Sequence, residues 1–468
     1  MTKLRYLAVA AAVALLPIAV PAPAQAAARP NIVVFMTDDQ NLSTLRVMNS
    51  VRTLLTQQGV TYANNFVSYP LCCPSRATYL TGQYPHNHGV MGNSPPDGGY
   101  YKLRGGETLP VWLSRSGYQT AHIGKYLNGY GTRDPLEVPP GWGEWYGAID
   151  PSTYRMWGYT LNENGVLHTY GQDNVEDPAL YQTDVYRAKA VNYINRKAPA
   201  PEPFFLSVAT LAPHVEGGFA AGNGDRNPRP APRHRGAFAG EALPKPPSYN
   251  ELDVSDKPAH IRALPLINAA SEARILKTYR SQLESLLAVD EAVAAVVNAL
   301  QANGELANTL FVFTSDNGWM QGEHRIPNGK VHAYEESIRV PLILRGPGVP
   351  ANTTRTSASS NVDLAPTALD AADAVAGITV DGRSLIPASA TRNLLVETGP
   401  RTDGSRWYAA VRSPRFLYVE YSTGERELYD LMSDPFQLRS RHADPAYATA
   451  MAALATELHR LQACSGNC

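Results

Sequence analysis

The sequence predicts an α/β fold in which helices cover both faces of a mostly parallel sheet. Short, almost wholly apolar runs alternate along the 468 residues with longer stretches in which apolar side chains recur at helical spacing. Several apolar runs end in acidic, amide or histidine side chains, as strands of an open α/β sheet do where they meet a ligand. A change to closely spaced short strands near residue 390 indicates a second, smaller unit.

Five apolar runs predict the strands of the main sheet, at residues 31–36, 120–123, 203–210, 309–314 and 340–344. The first run, NIVVFM, begins after Pro30 and ends before a polar segment, which is typical of a buried strand. Helices are predicted at residues 41–58, 108–116, 184–195 and 272–303, and a further one begins at 363–367. The longest has leucine and valine at helical spacing and stops at Gly304.

The C-terminal part predicts an antiparallel sheet. Four short runs at residues 394–398, 407–413, 416–421 and 427–431 are separated by the turn residues Gly404, Pro414 and Gly424. A final helix at 445–462 would pack on this sheet. We therefore expect a main domain over residues 27–390 and a C-terminal subdomain over residues 391–468 that closes one side of a cleft.

The N-terminus has the pattern of a targeting segment. Lys3 and Arg5 precede an apolar run at residues 7–20, and Ala24-Gln25-Ala26 forms an A-x-A cleavage site. A membrane anchor is the less favoured alternative, because the run is short and interrupted by prolines. We expect residues 1–26 to be a cleaved signal peptide, and the mature protein to be secreted, extracellular or periplasmic, without a membrane span.

Charge and cysteine content narrow the function further. The formal net charge of −1 gives no sign of a nucleic-acid or membrane-surface partner, so an anionic substrate would be met by local cations. Cys464 and Cys468 lie close together at the C-terminus, and in an oxidising compartment a local disulfide is favoured over two free thiols.

Acidic and amide side chains follow two of the predicted strands. Asp38 and Asp39 come after the first strand, and Asp316 and Asn317 come after the strand at 309–314. Such a set of oxygen donors favours calcium, or magnesium, over zinc. Asp-Asp alone is also common in a solvated loop that caps a helix, so the prediction depends on both pairs meeting at one edge of the sheet.

The most specific stretch is YPLCCPSRATYLTGQY, at residues 69–84. Taken alone, Cys72 and Cys73 beside a proline would be two buried thiols. The extended pattern Cys72-Cys73-Pro74-Ser75-Arg76, followed by Leu-Thr-Gly, resembles the signature of the sulfatases, in which the first cysteine is oxidised to formylglycine. The resemblance implies that the formylglycine-generating enzyme modifies Cys72 during maturation. It also implies that the modified residue 72 is a metal ligand together with the two acidic and amide pairs.

The implied modification explains the surrounding residue types. A hydrated aldehyde has two hydroxyls, one to attack sulfur and one to expel sulfate afterwards. In the family the modified residue begins a helix, where the helix end is positive and Pro74 suits the first turn. Arg76 would hold the aldehyde hydrate and offset nearby negative charge.

Further matches to the family lie along the chain. Gly124-Lys125-Tyr126-Leu127-Asn128 corresponds to a family Gly-Lys-Trp-His motif, and the resemblance implies that Lys125 faces the sulfate. His214, in Ala-Pro-His after the strand at 203–210, corresponds to the general acid that protonates the leaving alcohol. Lys330, before Tyr-Glu-x-x-x-Arg-Val-Pro, corresponds to a lysine that contacts sulfate and leaving group. Asp316 is also a candidate to accept the proton of the attacking hydroxyl.

One departure from the family's motif limits the resemblance to a subgroup of the sulfatases. Leu127 stands where many sulfatases have histidine, so the base for sulfate release is unassigned and Asn128 could approach the substrate instead. The Gly-Lys-Tyr-Leu-Asn variant, together with PPGWGEW and YTLNENG, is similar to N-acetylglucosamine-6-sulfatases and extracellular heparan sulfatases. The family resemblance implies an alkaline-phosphatase-like fold with a mixed sheet, and a sulfated amino sugar, another sulfated carbohydrate or an aryl sulfate as substrate.

Other polar residues have weaker signals. His86 and His88 fit loop histidines better than pocket residues, His324 could support the site from behind, and Asp363 fits a cap or buried structural acid. The irregular segment 216–263 could form a pocket rim. Its arginines fit solvated loop charges better than a polysaccharide-binding surface; they are Arg226, Arg229, Arg233 and Arg235.

Two other functions fit parts of the sequence. A phosphate mono- or diester hydrolase of the same superfamily would have Thr or Ser at position 72 and a second metal cluster rich in His and Asp. A carbohydrate-binding protein without catalysis would leave Cys72 a thiol. The combination of Cys72, Arg76, Lys125, His214 and Lys330 favours the sulfatase.

Overall fold

The computed structural model describes residues 1–4, 29–217, 227–387, 390–399, 407–466 and 468. The predicted signal peptide, apart from its first four residues, lies outside the described residues, as do Arg226 and Gly404. No helix in the described part of the chain is long and apolar enough to cross a membrane.

The strands are β1 (Asn31–Thr37), β2 (Val60–Tyr62), β3 (Asn65–Phe66), β4 (Gln119–Lys125), β5 (Glu144–Ala148), β6 (Tyr159–Glu163), β7 (Val166–Tyr170), β8 (Phe204–Ala209), β9 (Thr309–Ser315), β10 (Leu342–Arg345), β11 (Thr353–Arg355), β12 (Ser359–Ser360), β13 (Leu394–Glu397), β14 (Tyr408–Arg412), β15 (Phe416–Tyr421) and β16 (Arg426–Asp430).

The α-helices are α1 (Cys72–Thr81), α2 (Pro85–His88), α3 (Leu109–Arg115), α4 (Gln182–Lys197), α5 (Ala259–Arg262), α6 (Ala269–Ala302), α7 (Glu335–Ile338), α8 (Leu364–Ala372) and α9 (Ala448–Gln462). Short 3-10 helices lie at Leu42–Val47, Thr56–Gln58, Tyr100–Lys102, Ser152–Tyr154, Pro178–Leu180, Pro232–His234, Leu306–Asn308, Asn361–Asp363 and Pro445–Tyr447, and a π-helical turn lies at Val51–Leu55.

The main sheet is mixed and mostly parallel at its centre. Within the described residues its strand order is β11-β2-β10-β9-β1-β8-β4-β5-β6-β7. Strands β9, β1, β8, β4 and β5 run parallel, whereas β10, β6 and β7 pair antiparallel with their neighbours. A parallel centre with antiparallel edges confirms the predicted sheet.

Helices cover both faces of this sheet. On β1, Val33 and Phe35 pack into one core with α4 and α6, while Ile32, Val34 and Met36 pack into a second core with α1, α3 and α8. A strand that is buried on both faces needs an almost continuous apolar run, and the sequence of β1 has one. The helical sandwich predicted from the sequence is therefore confirmed.

The predicted helix at 41–58 is wrong as a continuous element. Two short 3-10 helices and the π-helical turn replace it. The reason is a long-range contact, because Asp290 of α6 accepts hydrogen bonds from the backbone N–H groups of Ser50 and Val51, each at 2.9 Å. These bonds satisfy amides that would otherwise continue the first helix.

The C-terminal strands form a separate antiparallel sheet in the order β13-β14-β15-β16. One face packs on residues that follow β9, including Met320, Tyr334 and Ile338, and the other packs on Leu454, Leu458 and other residues of α9. Cys464 and Cys468 form the predicted disulfide. Sheet and helix confirm the predicted antiparallel subdomain, while its boundary at residue 390 stays a prediction.

The parallel centre brings the functional segments to one edge. Thr37 of β1 lies beside Ser315 of β9, and the N–H of Asp316 donates to the carbonyl of Thr37 at 3.1 Å. Strand β4 ends with Lys125 at the same edge, and the segment after β8 leads to His214. The carboxyl ends of four neighbouring strands therefore surround one location.

Candidate active site

Helix α1 begins at Cys72, the first residue of the predicted signature, and all ten of its residues are buried. Leu71 precedes it in extended conformation, and Pro74 lies in the first turn, where its missing N–H costs nothing. The helix ends at Gly82 with φ of +65°, where a Cβ would lie 3.1 Å from Val380. The sequence thus fixes both ends of the helix that presents Cys72.

The sulfur of Cys72 faces a lysine and a carboxylate. Lys330 Nζ lies 2.9 Å from Sγ, and Sγ lies 3.5 Å from Oδ1 of Asp38. Burial and the charge of Asp38 raise the pKa of the Cys72 thiol to about 12, although Lys125 and Lys330 act in the opposite direction. The predicted nucleophile position is therefore at the centre of the polar cluster.

Four of the five predicted metal ligands, all except residue 72, form an acidic centre, defined as Asp38, Asp39, Asp316 and Asn317, whose side chains are almost completely buried. Asp39 has φ of +60°, a strained conformation for a residue other than glycine, and its N–H donates to Oδ1 of Asp316 at 3.2 Å. Asn317 Nδ2 donates to Oδ1 of Asp39. Residues that follow β1 and β9, which are neighbours in the sheet but far apart in sequence, are thus linked by hydrogen bonds.

Three predicted cations surround the acidic centre. Arg76 donates from Nε to Oδ2 of Asp316 at 2.8 Å and from Nη1 to the carbonyl of Lys125 at 2.8 Å. The ammonium of Lys125 pairs with Asp38, and that of Lys330 pairs with Asp39. Lys330 also lies 3.5 Å from Oδ1 of Asn317. The site concentrates positive charge around its acids, as recognition of an anionic ester requires.

These ion pairs determine the charge of the aspartates. Burial raises the pKa of Asp38, but Lys125, His214 and Arg76 outweigh it and hold that pKa below its usual value. Burial likewise raises the pKa of Asp39, and Lys330 and His214 overcome it. Both carboxylates are therefore ionised at neutral pH.

His214 lies at the edge of the cluster and is partly exposed. Its Nε2 is 3.4 Å from Oδ2 of Asp39, and its Nδ1 donates to the backbone carbonyl of Val215. Since a carbonyl can only accept, this bond fixes the proton on Nδ1 and leaves Nε2 directed toward the site. Burial lowers the pKa of His214, with Asp39 and Asp38 opposing that effect.

The residues of the acidic centre fit a divalent cation. Within the described residues, Oδ2 of Asp39 is buried without a hydrogen-bond partner. One ligand atom each from Asp38, Asp39, Cys72 and His214 lies within 4.8 Å of the others. The centre contributes carboxylate and amide oxygens, the donors that calcium and magnesium prefer. Asp316 adjoins this group through its hydrogen bonds to Arg76 and Asp39.

The three other histidines of the sequence analysis and Asp363 form hydrogen bonds within the fold. His86 pairs with Glu397, and His88 bonds to Thr78 and to the N–H of Val90, so both are structural. His324 bonds to Glu251 at 2.8 Å. Asp363 is buried and forms a capping box with Ser360, as expected of a structural acid.

The predicted loop arginines of segment 216–263 that the structure describes are partly exposed and are paired with carboxylates. Their partners are Glu216 and Asp173 for Arg229, Asp184 and Glu291 for Arg233, and Glu176 for Arg235. Because each guanidinium already has a carboxylate partner, this segment presents little net positive charge to an anionic polymer.

Sequence reasoning missed Tyr154. The centroid of its ring lies 4.6 Å from Lys125 Nζ and 5.3 Å from the ring of His214, and its hydroxyl accepts a hydrogen bond from Nδ2 of Asn128. Tyr154 lies in a short 3-10 helix between β5 and β6. No local pattern distinguishes it, because its neighbours in the site come from other segments of the chain.

Two protein-family models match most of the chain. The family model named Sulfatase matches residues 30–374. A second model, described as N-sulphoglucosamine sulphohydrolase, C-terminal, matches residues 322–464. The first match contains every predicted site residue, from Asp38 to Lys330.

Individual proteins extend these matches. An arylsulfatase of Volvox carteri is 34% identical over 93% of this chain and 74% of its own length. An N-acetylglucosamine-6-sulfatase of Capra hircus is 32% identical over 95% of this chain and 85% of its own. A solved structure described as a complex with its substrate, D-glucosamine-2-N,6-O-disulfate, has a TM-score of 0.76 and 24% identity, and covers 93% of this chain and 97% of that one. The structural likeness concerns the fold.

Proposed function

The chain belongs to the sulfatase family, has its alkaline-phosphatase-like fold and is a sulfuric ester hydrolase, and from this premise we propose that it is a secreted enzyme acting on sulfated amino sugars. We propose further that its nucleophile is a formylglycine made from Cys72 and that its acidic centre binds calcium, with magnesium as the alternative. The N-terminal targeting pattern supports secretion.

The surroundings of Cys72 support this proposal most strongly. Its side chain begins a buried helix and contacts both Lys330 Nζ, at 2.9 Å, and Oδ1 of Asp38, at 3.5 Å. In the proposed enzyme the aldehyde hydrate would take the place of the Cys72 sulfur. One of its hydroxyls would attack the sulfur of the sulfate ester, and the other would later expel sulfate. A carboxylate beside one hydroxyl can accept its proton; Asp316 is the predicted acceptor, and Asp38 lies 3.5 Å from the sulfur.

Three cations contribute to this mechanism. Lys125 and Lys330 bind sulfate oxygens and stabilise the charge that develops at sulfur. Arg76 keeps Asp316 in position and carries its positive charge to the helix end. Because all three are already fixed by carboxylates, little reorganisation accompanies substrate binding.

The acidic centre would hold the metal through Asp38, Asp39, Asp316, Asn317 and the modified residue 72. A bound divalent cation would supply positive charge next to the nucleophile. The buried Oδ2 of Asp39, which accepts no hydrogen bond within the described residues, supports this role.

His214 is the proposed proton donor to the leaving alcohol. It is the site residue at the partly exposed edge, where the alcohol part of a substrate would lie, and its Nε2 is directed inward. The bond from Nδ1 to Val215 keeps the ring in this orientation while Nε2 exchanges a proton.

The substrate class follows from the relatives rather than from the site itself. The Capra hircus relative is named for N-acetylglucosamine 6-sulfate, and the solved neighbour was described with a sulfated glucosamine. The Volvox carteri relative is named an arylsulfatase. We therefore take glucosamine 6-sulfate as the first substrate and an aryl sulfate as the comparison.

A mass measurement and one pair of variants test this function. Protein from a host that carries the formylglycine-generating enzyme should yield the tryptic peptide 53–76 with the mass of an aldehyde at Cys72 and an unchanged Cys73. Cys72→Ala should lower kcat/KM for glucosamine 6-sulfate by about 10³-fold or more. Cys73→Ala, which changes a buried thiol outside the polar cluster, should retain activity and serves as the control.

The opposite results would identify an alternative. Two unmodified cysteines together with tight sugar binding would indicate a carbohydrate-binding protein. A phosphate ester turned over faster than every sulfate ester would indicate the phosphohydrolase.

A further inference from the structure

The segment after β4 lacks the histidine that many sulfatases have at the position of Leu127, and the amide side chain of Asn128 follows this position. Leu127 is 2% exposed and belongs to the apolar core that also contains Tyr126 and Tyr130, and its side chain has no hydrogen-bonding group to offer the site. The next residue, Asn128, is 9% exposed. Its backbone carbonyl accepts the N–H of Tyr100 at 2.7 Å, and Asp150 accepts the N–H of Gly129, so the turn is held on both sides.

The side chain of Asn128 is only partly satisfied. Its Nδ2 donates to the hydroxyl oxygen of Tyr154 at 2.5 Å, whereas Oδ1 has no partner among the described residues. Leaving a buried polar atom unpaired costs about 1–3 kcal/mol. If the amide is rotated, Tyr154 donates to Oδ1 and Nδ2 becomes the unpaired atom. In either orientation the pair retains a buried polar atom without a partner among the described residues, which calls for an explanation such as a ligand.

The pair lies where sulfate and leaving alcohol would meet. The ring of Tyr154 lies 4.6 Å from the ammonium of Lys125, which binds sulfate in the proposed mechanism. The same ring lies 5.3 Å from that of His214, the proposed donor to the alcohol. A group attached to the alcohol, close to the scissile bond, would therefore pass Tyr154 and Asn128.

We propose that Asn128 and Tyr154 form a specificity-determining pair that hydrogen-bonds a hydroxyl or amide group on the alcohol part of the substrate, next to the sulfate ester. A sugar ring carries such groups beside the ester, whereas a simple aryl sulfate has none. A site built to pair with a polar group discriminates against a ligand without one, because its own polar atoms then stay unpaired. The inference rests on the proposed function and adds what the site recognises beyond sulfate.

The experiment measures binding separately from turnover. In the Cys72→Ala background, which cannot hydrolyse the ester, calorimetry gives the Kd of glucosamine 6-sulfate and of inorganic sulfate. Tyr154→Phe keeps the ring beside Lys125 and removes only the hydroxyl. We expect it to raise the Kd of glucosamine 6-sulfate about tenfold and to change that of inorganic sulfate much less. Asn128→Ala should act in the same direction.

The two variants also test whether the residues work together. The double variant should lose less binding free energy for glucosamine 6-sulfate than the sum of the losses in the single variants, since the two side chains share one hydrogen bond. Tyr146→Phe, which removes a hydroxyl bonded to Glu144 on β5, is the matched control and should change neither Kd. Circular dichroism and thermal unfolding identify a variant that fails to fold, in which case Tyr154→Phe alone decides.

The outcomes separate this inference from the proposed function. Equal Kd changes for both ligands would overturn it, because Tyr154 would then only position Lys125 and His214. No change for either ligand would overturn it as well. A selective loss of sugar affinity would support it even in a protein without hydrolytic activity, and hydrolysis of glucosamine 6-sulfate with unchanged binding would support the function alone.

Discussion

The acidic centre differs from a second group of buried acids, the glutamate cluster of Glu251, Glu323 and Glu336, although one stretch of chain connects the two. This stretch leaves the sheet at Asp316, passes Glu323 and Lys330 and reaches Glu336 in helix α7. The acidic centre pairs with Arg76, Lys125 and Lys330. In the described residues around the glutamate cluster, only Lys257 approaches a glutamate side chain as a cation, 3.4 Å from Glu251.

The different counter-ions reverse the direction of the pKa shifts. Burial and the charge of neighbouring Glu323 raise the pKa of Glu336 to about 8. Burial raises the pKa of Glu251 to about 7 in spite of Lys257. In the acidic centre the cations overcome burial, and the pKa values of Asp38 and Asp39 fall. Burial alone therefore does not determine whether an acid in this protein is charged.

This difference teaches how one segment can serve catalysis and architecture. The acidic centre keeps its negative charge at neutral pH and can attract a divalent cation. In the glutamate cluster the raised pKa values favour the protonated acids, and Glu323 and Glu251 bond to Gln321 and His324 of the same segment. In the proposed function the first group serves the reaction, whereas the second shapes the segment that carries Lys330.

Replacing the lysine that pairs with each group should give the largest difference, a difference in kcat/KM. Lys330→Met removes the charge beside Asp39 and residue 72 and should lower kcat/KM by about 10³-fold, as loss of one preorganised cation or donor does. Lys257→Met should instead lower the unfolding temperature and leave kcat/KM nearly unchanged, because it unpairs the carbonyls of Gln437 and Leu438. Comparable kcat/KM losses in both variants would end the functional distinction.

Calcium binding should give the next largest effect, on stability. At a free concentration 100 times the Kd, a ligand that binds only the folded state adds about 2.7 kcal/mol. We therefore expect calcium to raise the unfolding temperature of the wild type, and expect Asp39→Asn to lose most of that rise. Glu323→Gln, the matched change in the glutamate cluster, should retain it. Equal calcium responses in both variants would locate the ion elsewhere.

Much of the acidic centre was predictable from local sequence. The apolar runs of β1 and β9 predict strands, and parallel neighbours must bring Asp38 and Asp316 to one edge. The family resemblance implies a helix that begins at Cys72 with Pro74 in its first turn, and the structure contains this helix. These features depend on short-range patterns and on one sheet rule, so the sequence contains the information.

Other features depend on contacts between distant segments. Asp290 interrupts the helix expected at 41–58 from about 240 positions away in the chain. Tyr154 reaches the site because loops between β4 and β6 fold over it, and no periodicity marks such a residue. The raised pKa of Glu336 depends on the approach of Glu323 in the folded chain. Sequence patterns do not record these distances.

The pH dependence of stability gives the smallest effect and separates the two groups directly. The folded-state pKa values of Glu336 and Glu251 lie above their usual 4.5, so their stabilisation is complete below about pH 4.5 and is lost as the pH rises through 7 to 8. The lowered pKa values of Asp38 and Asp39 act oppositely, with loss as the pH falls below 3.8.

The unfolding free energy should therefore decline between about pH 7 and 8, by up to about 1.4 kcal/mol per pH unit for each proton involved. Below about pH 6.5 the buried histidines His88, His122, His324 and His332, whose pKa values burial lowers, act in the opposite direction. Glu336→Gln should flatten the decline, since the amide cannot ionise. Glu457→Gln should leave the decline intact, because Glu457 is a partly exposed acid whose pKa is lowered by its partner Arg460. Denaturant unfolding across this range measures the slopes, and an undiminished slope in Glu336→Gln would show that this glutamate is charged like the aspartates.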